Sequence, residues 1–431
     1  MHFRIEGPTR MSGRFTPAGN KNAALPILAG TLLAGEPVTL RNVPEIRDVQ
    51  TMAALIESLG ATVERPEHGV LRVDPSGLDG RRLDPVLAGR IRASILLAGP
   101  LLARFGEVML PPPGGDVIGR RRLDTHFLAL GRLGAAVEAS DRYELRAPRL
   151  SGADVFLDEP SVTGTENAIL AAVTAEGETW IRNAACEPHV QDLCAFLAML
   201  GAEIDGVGTS RLHIRGVERL GGGDFRIGAD HIEIGSMIGL AAITGSDVFI
   251  EDVDQRHFDP LRIGFERLGI ECVAKDGGLH VPPDQSLEIR PDFGDQIPSI
   301  GDGPWPAFPA DLTSIALVVA TQCRGTVLIH EKMFESRMYF ADKVISMGAN
   351  IVVCDPHRAV VVGPSRLRGG TVESPDIRAG MALLIAALAA RGESRIYNIG
   401  QIERGYERID ERLKALGAVI ERVDDPPAES T

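Results

Sequence analysis

The chain has 431 residues, 44% of them hydrophobic and 24% charged, with a formal net charge of −14 at pH 7. This length and apolar content suit a globular protein of two or three domains with a sizeable core. The acidic balance disfavours nucleic acid or an anionic membrane surface as the main partner, so any local cluster of cations is informative. The five cysteines are scattered without a CxxC pair, which indicates a reducing compartment and no disulfide framework.

No metal site, cofactor motif or membrane segment is predicted. The ten histidines include no HxxxH pair. The opening MHFRIEGPTR lacks the apolar core of a signal peptide. The longest apolar run, Ala379–Ala390, is too short to span a bilayer. We therefore expect a cytoplasmic protein that needs neither a metal nor another cofactor.

A short pattern recurs six times along the chain: a leucine or methionine, a glycine, usually an alanine, then a β-like stretch. The glycines lie 67–79 residues apart, at Gly60, Gly134, Gly201, Gly269, Gly348 and Gly417. Such even spacing indicates an internal repeat. Each copy also has an Ala-rich apolar stretch, a strand-like segment and an amphipathic helix. The pattern predicts a βαβαββ unit with a buried first helix, a partly exposed second helix and the glycine as a helix C-cap.

Six such units exceed one ordinary core, which favours two lobes of three units over a single continuous solenoid. The glycines at 221–223 and 228 mark a candidate linker between the third and fourth units. The polar tail DDPPAEST, residues 424–431, is predicted to be disordered.

One loop stands apart from the repeats: Pro111–His126, PPPGGDVIGRRRLDTH. Its prolines and glycines exclude a regular helix or a central strand, and the glycines favour mobility. Asp116 offers a proton, and three arginines, Arg120–Arg122, offer positive charge. Most Gly/Pro loops are plain solvated connections, so this loop alone does not establish a site.

Basic residues also precede or open three of the apolar helices. Lys21 and Asn22 lie at the first, Arg92 opens the second, and Arg378 follows Ser374-Pro375-Asp376, where proline is expected near the first helical position. Helix N-termini attract anions, so basic residues at three corresponding helix starts predict a converging anion cleft.

Four further stretches stand out. PSVTGTEN offers hydroxyls and backbone N–H groups at a helix start, which suits a diphosphate, although N-capping explains part of it. The others are GDGPWPAFPAD, which ends in Asp311; FESR, which carries Glu335 and Arg337; and IERGYERI, which carries Arg404.

Taken in order, GNKNAALPIL, RASILLAGPLLARFG, PPGGDVIGRRRLDTH, PSVTGTENAIL, PAFPAD, FESR and ERGYERI closely resemble the UDP-N-acetylglucosamine 1-carboxyvinyltransferases of the enolpyruvyl transferase family. The resemblance runs from about Phe3 to Val423. It implies a mixed α/β fold of two inside-out α/β barrel lobes with a cleft between them. The first lobe would span 22–227 and carry a lid loop at about 111–122. The second would join 1–21 to 228–423.

The resemblance implies transfer of the enolpyruvyl group of phosphoenolpyruvate to the 3′-hydroxyl of UDP-N-acetylglucosamine. Phosphate leaves after addition and elimination through a tetrahedral ketal, in the first committed step of peptidoglycan synthesis. The implied catalytic residues are Lys21, Asp116, Asp311 and Arg404. The implied substrate-binding residues are Asn22, Arg92, Arg121, Asp124, Ser161, Val162, Gly164, Arg337, Asp376 and Arg378.

Three departures from the family pattern matter. The loop's usual general acid is a cysteine, and here it is Asp116. A free carboxyl is almost fully ionised at pH 7, whereas a thiol is mostly protonated. Asp116 would therefore need its pKa raised by burial or by the nearby substrate phosphate, against the opposing effect of Arg120–Arg122. Without that thiol we expect resistance to fosfomycin, which alkylates the cysteine. Glu159-Pro160 stands where a diphosphate-binding lysine is common, and His231 where many relatives have arginine.

Two other functions stay open at this point. An enolpyruvylshikimate-phosphate synthase shares the fold and the chemistry, although the lid and ERGYERI favour the UDP-sugar enzyme. A non-catalytic paralogue that senses a UDP-sugar is disfavoured by the retained Lys21, Asp311 and Arg404. A nucleic-acid end-processing protein is a remote third, disfavoured by the net charge of −14.

Overall fold

The chain divides into two compact units. The computed structural model describes residues 1–116 and 118–424. The terminal unit comprises Met1–Ala18, 118–120 and 229–424, and the central unit comprises Gly19–Asp116 and Arg121–Gly228. This division differs from the predicted lobes at three places: 19–21 and Gly228 belong to the central unit, and 118–120 of the loop belong to the terminal unit. Apart from Asp424, the tail predicted to be disordered lies outside the described residues.

The strands are short and spread along the whole chain. In chain order they are β1 (His2–Gly7), β2 (Ser12–Phe15), β3 (Val38–Arg41), β4 (Thr62–Glu67), β5 (Val70–Asp74), β6 (Glu107–Leu110), β7 (Ala136–Ala139), β8 (Tyr143–Arg146), β9 (Asp154–Phe156), β10 (Glu178–Arg182), β11 (Glu203–Asp205), β12 (Arg211–Arg215), β13 (Gly223–Arg226), β14 (Asp247–Ile250), β15 (Val273–Lys275), β16 (Gly278–Val281), β17 (Ser299–Gly301), β18 (Gly325–His330), β19 (Ile351–Asp355), β20 (Arg358–Gly363), β21 (Thr371–Glu373), β22 (Gly392–Tyr397) and β23 (Val419–Val423).

The helices alternate with these strands. They are α1 (Lys21–Gly30), α2 (Arg47–Ser58), α3 (Pro85–Ala88), α4 (Ala98–Phe105), α5 (Asp124–Arg132), α6 (Val162–Ala172), α7 (Pro188–Met199), α8 (His231–Thr244), α9 (Asp259–Glu266), α10 (Thr313–Ala320), α11 (Ala341–Ser346), α12 (Ile377–Ala389) and α13 (Ile409–Ala415). Short 3₁₀ turns at Arg92–Leu97, Ala310–Leu312, Arg337–Phe340 and Ile399–Arg404 carry several of the predicted site residues.

Each unit contains three sheets built on one plan, which confirms the predicted βαβαββ repeat. In the sheet ordered β11-β12-β10-β9, β9 runs parallel to β10, and β12 and β11 follow antiparallel. The sheets β13-β3-β5-β4, β15-β16-β14-β2, β17-β18-β20-β19 and β21-β22-β1-β23 have the same arrangement. The sheet β6-β8-β7 has three strands, and Arg82 bridges to Met109 in parallel where the fourth would lie.

The central unit interrupts one repeat of the terminal unit. β2 ends at Phe15 and pairs in parallel with β14, which begins at Asp247. In a repeat of this kind, a helix connects the two parallel strands. Here that helix is α8, and the whole central unit lies in the chain between β2 and α8. Within the central unit, β13 from its end pairs in parallel with β3 from its beginning, so that unit closes on itself.

The apolar helices form the interior of each unit, as the composition predicts. In the terminal unit α8, α10 and α12 contact one another, and in the central unit α4 and α6 pack together while α1 contacts α6. Two separate clusters of buried side chains result, one per unit. Alanine-rich sequences suit this role because small side chains let helix axes approach closely.

The six repeat glycines end helices, as predicted. All six have positive φ, between 74° and 107°, directly after the last residues of the amphipathic helices. That backbone conformation is nearly free of strain only for glycine, so the pattern in the sequence records a stereochemical requirement.

Three local predictions are wrong in detail. Gly223 begins β13, so the glycines at 221–223 are not a linker, and the unit boundary follows Gly228. Pro375 precedes the N-cap Asp376 of α12 instead of occupying the first turn. Arg92 opens a 3₁₀ turn that leads into α4, because Pro100 has no N–H to give to the i−4 carbonyl.

Among the described residues, no helix combines the length and the apolarity that a membrane span requires.

Candidate active site

In the terminal unit, one carboxylate is held by two buried arginines. Arg337 Nη2 lies 2.6 Å from Asp311 Oδ1, and Arg378 Nη2 lies 2.8 Å from Asp311 Oδ2. Arg378 Nε donates to the same Oδ2 at 3.0 Å. The arginine side chains are 7% and 6% exposed, and that of Asp311 is 24% exposed. Three residues from distant parts of the sequence are therefore brought into one ion-pair cluster.

The cluster keeps Asp311 ionised. Burial acts to raise the pKa of Asp311, but Arg378 and Arg337 outweigh it and hold that pKa well below its usual range. Asp311 in turn raises the pKa of Arg378 against the effect of burial. In this geometry the carboxylate is a poor proton acceptor, and it becomes a better one only if an arginine turns to another anion.

Local structure explains why the three residues meet. Asp311 lies in the 3₁₀ turn that leads into α10, and Arg378 is the second residue of α12. The guanidinium of Arg378 lies over the ring of Tyr406, 5.5 Å from its centroid, and Ser236 Oγ lies 2.9 Å from the Tyr406 hydroxyl. The starts of two packed helices and a buried tyrosine thus fix this side chain.

Asp376 and Arg404 have local partners in the same unit. Asp376 caps α12, because its Oδ1 accepts from the N–H groups of Arg378 at 2.8 Å and Ala379 at 2.9 Å. Arg404 Nη1 donates to Gln401 Oε1 at 2.9 Å. Asp376 therefore positions Arg378 through the backbone.

His231, one of the departures from the family pattern, is the first residue of α8 and is buried. Burial lowers its pKa to about 3, with His257 acting in the same direction. The ring is therefore neutral at pH 7, where an arginine would carry a charge.

The loop segment 118–120 packs within the terminal unit. The backbone N–H of Arg120 donates to Glu335 Oε2 at 3.2 Å, and that of Ser336 donates to the carbonyl of Ile118 at 3.2 Å. FESR thus supplies both Arg337 for the ion-pair cluster and a carboxylate for the loop.

A second pair of carboxyls lies beside Arg337. Asp302 and Glu331 are 1% and 0% exposed. Burial, together with Asp302, raises the pKa of Glu331 to about 9. Sequence inspection missed this pair, and the only available signal was a charged residue at the end of an apolar strand, TVLIHE.

In the central unit, Lys21 and Asp48 form a buried ion pair. Lys21 Nζ lies 2.8 Å from Asp48 Oδ2, and the side chains are 9% and 7% exposed. Lys21 is the first residue of α1, whose N-cap Asn20 accepts from the N–H of Asn22 at 2.8 Å. The predicted helix start is therefore present, and the carboxylate partner was missed.

Arg92 is held by carbonyl groups. Its Nη2 donates to the carbonyl oxygens of Arg121 at 2.5 Å and Arg122 at 3.1 Å. Burial, reinforced by the nearby Arg121, lowers the pKa of Arg92 to about 10. A cation destabilised in this way gains from the approach of an anion.

The base of the loop rests on the segment before Arg92. A side chain at Gly114 would place its Cβ 1.8 Å from the carbonyl oxygen of Gly89, and one at Gly115 would meet Arg92 Cβ at 2.9 Å. These glycines therefore permit close approach of two backbones, a role the sequence reading attributed to mobility. Asp116, half-buried, follows them directly.

Ser161 caps α6, as predicted. Its Oγ accepts from the N–H of Gly164 at 3.2 Å, and Val162 is the first residue of the helix. Free N–H groups at such a start suit an anion. Nearby, Asp124 opens α5 and its carboxylate accepts from Arg122 Nε at 3.1 Å. Arg122 also donates to Asp158, 2.8 Å away.

A buried hydrogen-bond chain lies behind this helix start. Asn167 Nδ2 lies 3.0 Å from His126 Nδ1, and His126 Nε2 lies 3.1 Å from Thr163 Oγ1. Burial lowers the pKa of His126 to about 3, so the ring is neutral. Because the amide Nδ2 can only donate, the ring proton is on Nε2 and points at Thr163.

Sequence comparisons can now be set beside this geometry. The family profile described as EPSP synthase (3-phosphoshikimate 1-carboxyvinyltransferase) matches residues 5–413. The UDP-N-acetylglucosamine 1-carboxyvinyltransferase of Bradyrhizobium diazoefficiens is 61% identical over 425 residues, covering 99% of each chain. That of Treponema denticola is 56% identical and covers 98% of this chain and 99% of the relative.

Solved structures show the same fold at low identity. The enolpyruvyl transferase NikO from Streptomyces tendae superposes with a TM-score of 0.86 at 24% identity, covering 97% of this chain and 98% of that one. An EPSP synthase from Acinetobacter baumannii gives a TM-score of 0.75 at 18% identity, covering 98% and 99%. At these identities the likeness concerns the fold alone.

Proposed function

Because this chain belongs to the enolpyruvyl transferase family, we propose that it transfers the enolpyruvyl group of phosphoenolpyruvate to the 3′-hydroxyl of UDP-N-acetylglucosamine, with release of phosphate. The observation that carries this proposal is 61% identity over 99% of both chains to a UDP-N-acetylglucosamine 1-carboxyvinyltransferase. The reaction is the first committed step of peptidoglycan synthesis, so the protein would serve cell-wall formation.

The cations of the central unit are assigned to phosphoenolpyruvate. Lys21, Arg92 and Arg121 would bind its phosphate and carboxylate, together with Arg404 of the terminal unit. The lowered pKa of Arg92 supports this role, because its half-buried charge has carbonyl groups as hydrogen-bond acceptors. An incoming anion would stabilise it by a charge-assisted contact.

Asp311 is assigned as the acceptor of the hydroxyl proton. In the present geometry it is bound to Arg337 and Arg378, which lowers its basicity. An anionic substrate that attracts either arginine would weaken one ion pair and raise the proton affinity of Asp311. Asp311 would thus become a stronger base only after the substrate has bound, so that deprotonation of the sugar follows binding.

Asp116 is assigned as the donor of the proton that C3 of the enol ether gains. As C3 is protonated, C2 acquires oxocarbenium character and is attacked by the sugar oxygen; loss of phosphate with return of the C3 proton then completes the transfer. Carbon protonation by a carboxylic acid favours a lower pH optimum than a thiol would give. The absence of a thiol at position 116 also predicts resistance to fosfomycin.

The nucleotide is assigned to the start of α6 and its surroundings. Ser161, Val162 and Gly164 would face the diphosphate, with Asp124 and Asn22 binding other parts of the UDP-sugar. Because Glu159-Pro160 replaces the lysine common in the family, this region has one cation fewer for binding the diphosphate. The Thr163 hydroxyl oxygen accepts a hydrogen bond from His126 Nε2–H, so its own proton is available to another acceptor. This supports a role for the Thr163 hydroxyl as a donor to an anion.

We also place the protein in the cytoplasm, where both substrates would be met. None of the five cysteines, all of which lie among the described residues, forms a disulfide, which supports a reducing compartment. Neither a nucleic acid nor a membrane is assigned as a partner.

The test is phosphate release from phosphoenolpyruvate with different acceptors. We expect release that depends on UDP-N-acetylglucosamine and none with shikimate 3-phosphate. Release with shikimate 3-phosphate alone would assign the chain to the chemistry for which the family profile is named. Binding of UDP-N-acetylglucosamine without release at any pH from 5 to 8 would support a sensor instead.

A further inference from the structure

Two fully buried carboxyls lie side by side next to the ion-pair cluster of Asp311. We propose that Asp302 and Glu331 share one proton and, as a singly charged pair, act as positioning residues that leave Arg337 bound to Asp311. This inference rests on the proposed function for its kinetic consequences, while the shared proton can be tested without any substrate.

The strand register brings the two carboxyls together. β17 runs parallel to β18, with Gly301 opposite His330, and the N–H of Asp302 donates to the carbonyl of His330 at 3.2 Å. Asp302 directly follows β17 and Glu331 directly follows β18, so the two residues lie side by side at the same end of the two strands. The carboxyls are within reach of a mutual hydrogen bond once one of them is protonated.

These carboxyls lack the donors that two anions would need. The backbone N–H of Lys332 donates to Asp302 Oδ1. Asp302 Oδ2 and both oxygens of Glu331 are buried and have no hydrogen-bond partner among the described residues. Arg337 Nε, buried in the same region, also lacks one. The Thr313 hydroxyl acts on Glu331 and lowers its pKa, but burial outweighs this effect. Two ionised carboxylates in such a site would each be severely destabilised.

A single proton on Glu331 would reduce the cost of burying both carboxyls. A protonated Glu331 can donate to Asp302, which satisfies an oxygen on each side and removes one buried negative charge. The cluster then holds Asp302 and Asp311 as anions and Arg337 and Arg378 as cations, with Asp376 and Asp230 as further acidic neighbours of the two arginines. The raised pKa of Glu331, which burial and Asp302 produce, agrees with this assignment.

The groups around the pair act in both directions: Arg337 lowers the pKa of Glu331, whereas burial and Asp302 raise it and outweigh Arg337. Arg337 is the cation that faces Glu331, and Asp302 is the anion. His357 lies against the backbone of Glu331: its Nδ1 is 2.8 Å from the Glu331 carbonyl oxygen, so that nitrogen must carry a proton. Lys332, the next residue, donates its backbone N–H to Asp302 Oδ1.

Loss of the shared proton has a defined consequence. An ionised Glu331 would attract the unpartnered Nε of Arg337 and compete with Asp311 for its guanidinium. Asp311 would then become more basic but lose the contact that holds it in place, and we expect the displaced base to lower kcat. The kinetic effect should appear in kcat more than in KM, because Asp311 is assigned to proton transfer.

The first experiment is infrared spectroscopy of the unliganded protein between pH 6 and 10. We expect a protonated-carboxyl C=O band at pH 7 that disappears as the pH rises through about 9 and is missing from Glu331→Gln. A spectrum at pH 7 in which wild type and Glu331→Gln show the same carboxylic acid bands would overturn the proposal, whether or not the protein is a transferase.

The second experiment is the pH profile of kcat for UDP-N-acetylglucosamine-dependent phosphate release. Beyond the decline expected from Asp116, wild type should lose about a further tenfold per pH unit above the titration of Glu331, and Glu331→Gln, which mimics the protonated form, should lack that additional decline. Asp302→Asn removes the neighbouring negative charge and should move the decline to lower pH.

Glu233→Gln is the matched control. Glu233 is also a buried glutamate of the terminal unit, but it is paired with Arg412 at 2.6 Å. Its substitution should lower stability without altering the alkaline decline. A decline identical in wild type, Glu331→Gln and Asp302→Asn would overturn the positioning role even if the infrared band is found.

Discussion

The two units repeat one architecture but neutralise their buried cations differently. In the central unit Lys21 has its own carboxylate, Asp48, while Arg92 is held by backbone carbonyls. In the terminal unit Arg337 and Arg378 share the single carboxylate of Asp311. Corresponding helix starts therefore hold a cation without a carboxylate partner among the described residues, Arg92, in the central unit. In the terminal unit they hold an anion paired with two arginines, Asp311.

This difference teaches how one repeat supplies two kinds of chemistry. A half-buried arginine held by carbonyl groups, as Arg92 is, is poised to bind an anion, which suits the phosphate and carboxylate of phosphoenolpyruvate. A carboxylate held by two arginines has a proton affinity that depends on where those arginines point. Under the proposed function, the central unit would supply Arg92 as a cation for the anionic substrate, and the terminal unit would supply Asp311 as a carboxylate whose basicity can change.

The largest effect should come from removing the shared anion. Asp311→Asn is expected to lower kcat by about 10²–10⁴, because the general base is lost. The variant also leaves two buried arginines without their carboxylate, so a drop in the free energy of unfolding should accompany it. Single-turnover phosphate release and urea unfolding measure the two effects. Unchanged kcat would remove Asp311 from the reaction.

The next effect concerns Lys21. Lys21→Met should weaken phosphoenolpyruvate turnover by about 10²–10³ and destabilise the fold by about 3–5 kcal/mol, because Asp48 is left buried without its cation. The double variant Lys21→Met/Asp48→Asn should regain much of the stability but not the activity. Activity that returns together with stability would show that Lys21 serves only the fold.

A smaller, pH-dependent effect should identify the role of Asp116. Wild-type kcat is expected to fall by up to about tenfold per pH unit as the acid ionises. Asp116→Asn should abolish that dependence along with most activity, and Asp116→Cys should become sensitive to irreversible inactivation by fosfomycin. A flat wild-type rate from pH 5 to 8, with full activity in Asp116→Asn, would move the proton donor elsewhere.

The smallest effect is on stability in acid. His126 and His231, one in each unit, have folded pKa values of about 3 against 6.5 when exposed. The unfolded chain therefore binds more protons below pH 6.5, and stability is lost as the pH falls from about 6.5 to 3. Each histidine should cost about 2 kcal/mol at pH 5. Urea midpoints at pH 7.5 and 5 for wild type and His126→Gln measure it; an equal drop in both proteins would contradict it for His126.

Sequence periodicity predicted the repeat because helices, strands and glycine caps have local signatures. The positive φ of Gly60 and its five equivalents is one such signature. Contacts between residues far apart in the chain have no local signature. No residue near Lys21 in the sequence indicates Asp48 as its partner. Likewise, no motif indicates that Asp302 lies beside Glu331, because the register of β17 on β18 brings them together. The role of Gly114 was misread for the same reason, since its close neighbour Gly89 is known only from the fold.

The central claim is that this protein makes an enolpyruvyl ether of a UDP-sugar, and product analysis tests it most directly. Purified protein would be incubated with phosphoenolpyruvate and UDP-N-acetylglucosamine at pH 6, and the products examined by NMR. We predict one equivalent of phosphate and an enolpyruvyl group on the 3′-oxygen of the sugar. Recovery of the unmodified UDP-sugar, although it binds, would contradict the account.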